Sequence, residues 1–99
     1  MHDYDFSRRA VRDIVSARHW YDRQRRDLGN RFLDSVLLAI REAREHPLRW
    51  AELRPGIRSV KCAGFPYRVY YEVQNEKIII RAVYHLARDP ELWDDPRRQ

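Results

Sequence analysis

Cysteine, glycine and methionine are scarce in this chain: one, three and one in 99 residues. A single cysteine, Cys62, excludes an internal disulfide framework and a Cys-rich metal cluster, and a reducing cytoplasm is the natural setting. Three glycines leave no Gly-rich loop to cradle a phosphate, and no nucleophile elbow is present. The four histidines (His2, His19, His46, His85) are scattered and form no His-x-x-x-His pair, so no metal and no cofactor are expected. No apolar run approaches the roughly 20 residues that a membrane span needs, and the N-terminus has no signal-peptide h-region. Internal repeats, low-complexity tracts and linkers are also missing, which leaves one domain over residues 1–99.

What the chain does have is positive charge. Twenty Lys+Arg against fifteen Asp+Glu give a formal charge of +5, which favours an anionic partner, either nucleic acid or an acidic protein. The excess is nearly all arginine and sits among many Trp and Tyr residues. Arginine is the cation suited to bidentate carboxylate or phosphate contacts and to stacking.

Hydropathy patterning gives the elements. Tyr4-Asp5-Phe6 is short and alternating, as in a first strand, and Ser7 can cap a helix. Val11, Ile14, Val15 and Tyr21 form a 3.6-residue stripe over a helix from Arg8 to about Arg26. Gly29 reads as the turn, Asn30 as the next cap, and Phe32, Leu33, Val36, Leu37, Ile40 and Ala43 as a second stripe. That helix runs to His46 and is stopped by Pro47. Leu48 to Gly56 reads as a loop and Ile57 to Cys62 as a strand. The stretch Phe65 to His85 reads as a hairpin turning at Asn75-Glu76. The order β-α-α-β-β-β predicts an α+β fold: an N-terminal strand and an antiparallel two-helix hairpin packed on a small, mostly antiparallel sheet.

A two-residue turn sets Val73 opposite Ile78, Tyr71 opposite Ile80, Val69 opposite Ala82 and Tyr67 opposite Tyr84. These eight residues would form one apolar face under the helices. Arg68, Tyr70, Glu72, Ile79, Arg81, Val83 and His85 would then lie on an uncovered face. Lys61, Arg68, Arg81, His85 and Arg88, with Tyr70 and Trp93, form the candidate constellation. Such a group can hold a phosphodiester, with His85 as a proton donor or acceptor, or receive acidic side chains of a partner. The plain structural alternative pairs Arg81 with Glu72 and leaves Tyr70 as cover for the sheet. Cys62 reads as a small inert hydrophobe.

Several short pieces in order carry a family resemblance. They are Ser7-x-x-Ala10 with Asp13-Ile14, Leu28-Gly29-x-x-Phe32, Ala39-Ile40, His46-Pro47, Phe65-Pro66-Tyr67-Arg68-Val69-Tyr70-Tyr71, Ala82-Val83-x-His85 and Arg88-Asp89-Pro90-x-x-Trp93. Together they span nearly the whole chain, which resembles the ParE/RelE superfamily of type II toxin–antitoxin toxins, most closely its ParE-like branch. The resemblance implies a RelE/ParE-like fold and a toxin silenced by a cognate antitoxin, which would bring it to DNA only indirectly. RelE-like members cleave mRNA on the ribosome, and Lys61, Arg68 and Arg88 match basic positions of that site, with His85 as a possible acid–base group. The C-terminal tyrosine expected after Arg88 is missing, Trp93-Asp94 standing about where it would be, and Ser59 replaces an expected lysine. ParE-like members are similar to gyrase poisons, which need no catalytic residues. DNA gyrase is therefore the expected target, with the ribosome and mRNA as the alternative and a degenerate toxin that serves only as an antitoxin-binding co-subunit as a third reading. Arg68, Tyr70, Arg81, His85, Arg88 and Trp93 are binding candidates for target or antitoxin.

Overall fold

A computed structural model of the chain describes residues 2–87. Seven elements follow in order: β1 (Asp3–Phe6), α1 (Arg8–Gln24), α2 (Leu28–Glu45), β2 (Glu52–Arg54), β3 (Ile57–Lys61), β4 (Tyr67–Gln74) and β5 (Lys77–His85). The strands form one sheet in the order β1-β5-β4-β3-β2. β1 runs parallel to β5, and the other pairs are antiparallel. The α+β architecture therefore stands as the hydropathy pattern implied, with one strand more than expected. That strand, β2, is only three residues long and lies within the stretch read as a loop, too short to show an alternation of its own.

Local chemistry sets the helix ends. Ser7 caps α1, its Oγ accepting the Ala10 N–H at 3.1 Å, which satisfies one of the donors left open at a helix start. α1 stops at Gln24, two residues before the expected Arg26. α2 begins at Leu28 rather than after Asn30, with Asp27 entering at φ 65°. Gly29 is consequently inside α2 and is not a turn. Its role is close approach: the N–H donates to the Asp22 carboxylate at 2.9 Å, and an added Cβ would lie 2.7 Å from the Arg18 carbonyl oxygen. At the far end, Glu45 closes α2 before Pro47, whose carbonyl accepts the Tyr71 hydroxyl at 2.7 Å.

The main core lies between the helix pair and one sheet face. Phe32, Val36 and Ile40 of α2 and Ala10, Ala17 and Tyr21 of α1 meet Val60, Val69, Tyr71, Ile78, Ile80 and Val83. At one end Tyr21, Phe32, Phe65 and Tyr67 pack edge-on or tilted with centroids 5.0–6.1 Å apart, an arrangement that adds to the area buried by each ring.

The β4–β5 register departs from the simple hairpin halfway along. Asn75 and Glu76 do form the turn, Asn75 at φ 56°, and Val73↔Ile78 and Tyr71↔Ile80 pair as expected. The next pair is Tyr70↔Ala82, so Arg81 is an extra residue in β5, a bulge. Beyond it every side chain of β5 changes face. Val83, not Ala82, joins Val69 in the core. His85 lies opposite Tyr67 on the helix side, and Tyr84 lies opposite Arg68 on the other. The expected eight-residue apolar face is thus corrected at Ala82 and Tyr84. The second face is not bare either: Ile57, Tyr70, Ala82 and Tyr84 form a smaller core there, with Tyr70 5% and Tyr84 2% exposed.

Substituting Gly29 with Ala tests the close helix–helix approach. The variant is expected to lose about 1–3 kcal/mol of stability, the cost of forcing a methyl into a packed contact, and a urea titration with an unchanged midpoint would contradict it.

Candidate functional site

The two outcomes open at each expected cation separate once their partners are known. Arg81, the bulge residue, pairs with Glu72 through Nε at 2.6 Å and through Nη2. Its side chain is about one quarter exposed and that of Glu72 less, so the pair neutralises itself within the sheet face. Lys61 sits opposite Arg68 in the β3–β4 ladder, but its Nζ donates to the Cys62 and Phe65 carbonyls at 3.1 Å each. The amine clasps the Ala63-Gly64 turn.

Arg68 is different. Half-buried, it donates from Nε to the Ser59 hydroxyl at 2.8 Å, and among the described residues no carboxylate lies within ion-pair distance of it. The guanidinium is held in orientation by a neutral group, and nothing among the described residues cancels its charge. Tyr70 is opposite Ser59 in the ladder and stacks on Tyr84 at 5.3 Å. Burial pushes its phenol up despite the nearby Arg68, so it stays protonated at neutral pH. The Tyr84 hydroxyl accepts from Arg9 at 2.6 Å.

His85 leaves this group because of the bulge. It projects with Tyr67, ring centroids 5.2 Å apart, and its Nδ1 accepts the Ala87 N–H at 2.9 Å. The two faces of the sheet therefore separate His85 from Arg68, and the acid–base group expected beside the arginines is not there. Arg88 and Trp93 lie outside the described residues.

Two recesses flank this end of the sheet. A cleft of about 360 Å³ on the Arg68 face is lined by Trp50, Glu52, Leu53, Ser59, Arg68, Tyr70 and Leu86. On the helix side, a groove of about 590 Å³ runs between α1 and the end of β5, past Asp13, Trp20, Tyr67 and His85. Asp13 accepts the Val83 N–H at 2.9 Å, closing the part of the β5 edge that β1 does not reach.

Sequence reasoning missed the part Ser59 plays and both walls of the cleft. Ser59 stood out only as a lost lysine. Its diagonal relation to Arg68 follows once the Ala63-Gly64 turn sets Lys61 against Arg68. Trp50 and Leu53 become cleft walls because β2 pairs with β3 and because Arg58, which meets Glu52 at 3.5 Å, donates to the Trp50 carbonyl at 2.6 Å. Among the described residues no group of three or more His, Cys, Asp or Glu is placed to hold a metal, and no helix is long and apolar enough to cross a membrane.

Comparison with known proteins agrees with this architecture. A family model described as the ParE toxin of type II toxin–antitoxin system, parDE, matches residues 4–90. Among solved structures, the chain is similar to one described as the chromosomal ParDE toxin–antitoxin system from P. aeruginosa. The two are 15% identical with a TM-score of 0.74, over 86% of this chain and 96% of that one. At that identity the likeness concerns the fold. No curated protein sequence matches the chain.

Cys62 lies next to the site and is fully buried, which pushes its thiol up to about 11 from an ordinary 9.0, against the lowering effect of Lys61 and Arg68. Such a thiol is no nucleophile at neutral pH. Between pH 9 and 11 the unfolded chain would have lost that proton and the folded chain would keep it, so stability must fall as pH rises through this window. Replacing Cys62 with Ala is expected to flatten the decline from pH 9 to 11 in chemical denaturation. The further decline above pH 10 from Tyr71, pushed up to about 12, would remain.

Proposed function

Because the chain belongs to the ParE toxin family of type II toxin–antitoxin systems, we propose that it arrests bacterial growth by inhibiting DNA gyrase and is silenced when a cognate antitoxin binds it directly. The family match over residues 4–90 carries this reading. The geometry of the site supports the choice of target. A ribonuclease needs a proton donor or acceptor beside its phosphate-binding cations. Here His85 is on the opposite sheet face from Arg68, Arg81 is neutralised by Glu72, and Lys61 is committed to backbone carbonyls. A poison that acts by binding another enzyme has no such requirement.

The antitoxin is expected to be acidic, since the chain carries +5, and to wrap the domain with a C-terminal segment that folds on binding. Val11, Val15 and Leu37 are 43–49% exposed along the helical hairpin and give such a segment apolar purchase. Arg68 gives it a charge to meet. Contact with operator DNA would come through the antitoxin alone. The site of action is the cytoplasm, where gyrase works, and release of the toxin there would serve as a stress response.

Induction in a sensitive bacterium tests the reading. Filamentation and DNA-damage signalling are expected, both relieved by co-expression of the antitoxin. Rapid translation arrest with cleaved mRNA, or growth that continues undisturbed, would contradict it.

A further inference from the structure

An arginine that is half-buried, fixed in orientation and without a counter-ion is costly to keep, because its charge has lost water without gaining a partner. Arg68 meets all three conditions among the described residues: Nε is held by the Ser59 hydroxyl at 2.8 Å, and no carboxylate lies within ion-pair distance. It opens onto the 360 Å³ cleft whose lining also includes the apolar Trp50, Leu53 and Leu86 together with Glu52 and Tyr70. Cation and apolar wall stand side by side in one recess.

We propose that this cleft is the anchor point for a single carboxylate side chain of an acidic protein segment, with an aliphatic neighbour on that segment packing against Leu53 and Leu86. The assignment rests on the reading that an acidic antitoxin binds the chain, and narrows it to one recess and one cation. The charge distribution favours a peptide over a nucleic-acid strand. A phosphodiester backbone brings repeated charges and is held by several cations along its track. Among the described residues the lining of this cleft offers one cation, Arg68, and its Glu52 is already met by Arg58 at 3.5 Å. A lone carboxylate needs one guanidinium, and a charge-assisted hydrogen bond is stronger than a neutral one.

Ser59 is a positioning residue in this scheme. With Nε occupied by the serine, the Arg68 Nη groups form the edge available to the ligand. Ser59→Ala would leave the charge in place while freeing its direction, so it should weaken binding less than loss of the arginine does.

The test is a titration of the isotopically labelled chain with the peptide acetyl-Leu-Glu-Leu-Glu-Leu-amide, followed by NMR at the Arg68 Nε–H and the Leu53 and Leu86 methyls. The Gln counterpart of the peptide and a uridine hexaribonucleotide are titrated in parallel. The acidic peptide is expected to shift the signals of all three residues. Arg68→Gln should weaken it about tenfold or more, the usual cost of removing a charged hydrogen bond. Arg41→Gln, a charge change on the exposed side of α2, should leave binding within twofold. Thermal melts of each variant confirm that the fold is kept. The proposal is overturned if the Gln peptide binds equally well, if Arg68→Gln has no effect, or if the oligonucleotide takes the cleft in preference to the peptide. These outcomes are independent of growth arrest. A chain harmless to cells but binding the peptide through Arg68 would refute only the toxin reading, and a toxic chain with an indifferent cleft only this one.

Discussion

One extra residue in β5 governs both faces of the sheet. Arg81 has no partner in β4, and the strand resumes its ladder with Val83 on the helix side and Tyr84 on the other. A bulge leaves backbone groups for something else to satisfy, and here the start of α1 does so. Ser7 donates its hydroxyl to the Arg81 carbonyl at 3.0 Å and its N–H to the Ile80 carbonyl at 2.9 Å, while Asp13 accepts from Val83. The Arg81 side chain closes on Glu72. The capping serine of α1, the end of the β1–β5 pairing and the second small core of Ile57, Tyr70, Ala82 and Tyr84 all depend on that single insertion.

The bulge also marks the limit of what the linear sequence discloses. The second helix stripe was legible because the 3.6-residue spacing of Phe32, Val36 and Ile40 is a local property. In α1 only Ile14 and Tyr21 of the expected stripe face the core, Val11 and Val15 being about half exposed while Ala10 and Ala17 are buried. The turn at Asn75 was legible because it too is local, as Asn tolerates the left-handed backbone there. A bulge leaves no such mark when the residues on either side are all apolar: Ile79, Ile80, Ala82 and Val83 suit either face. Only the match of β5 to β4 and of α1 to the β5 edge decides between them. β2 and the exact helix junction escaped for a related reason, since Gly29 is required by the nearness of Asp22 and Arg18 across the hairpin and not by its own dihedral angles.

At the site the same effect converts a cluster into separate parts. Four cations and an imidazole that form one constellation in the sequence reading are allotted different duties: Arg81 to an internal pair, Lys61 to a turn, His85 to the helix-side groove. Arg88 falls, with Trp93, outside the described residues. Among the described residues Arg68 meets no carboxylate, and its partner, Ser59, is neutral. The lysine-to-serine departure thus has a physical consequence. A lysine at position 59 would repel Arg68, whereas a serine orients it and leaves it able to take a negatively charged group. That arrangement suits recognition better than acid–base chemistry, in keeping with a toxin that works by occupying a partner.

Occupancy of gyrase is therefore the point on which the account turns. The most direct measurement is ATP-dependent supercoiling of relaxed plasmid by purified gyrase in the presence of the purified chain. Supercoiling should fall as the chain is added, with linear DNA appearing once the trapped enzyme is denatured, and should recover when the antitoxin is supplied. Unchanged supercoiling at a large molar excess of correctly folded chain would contradict the account.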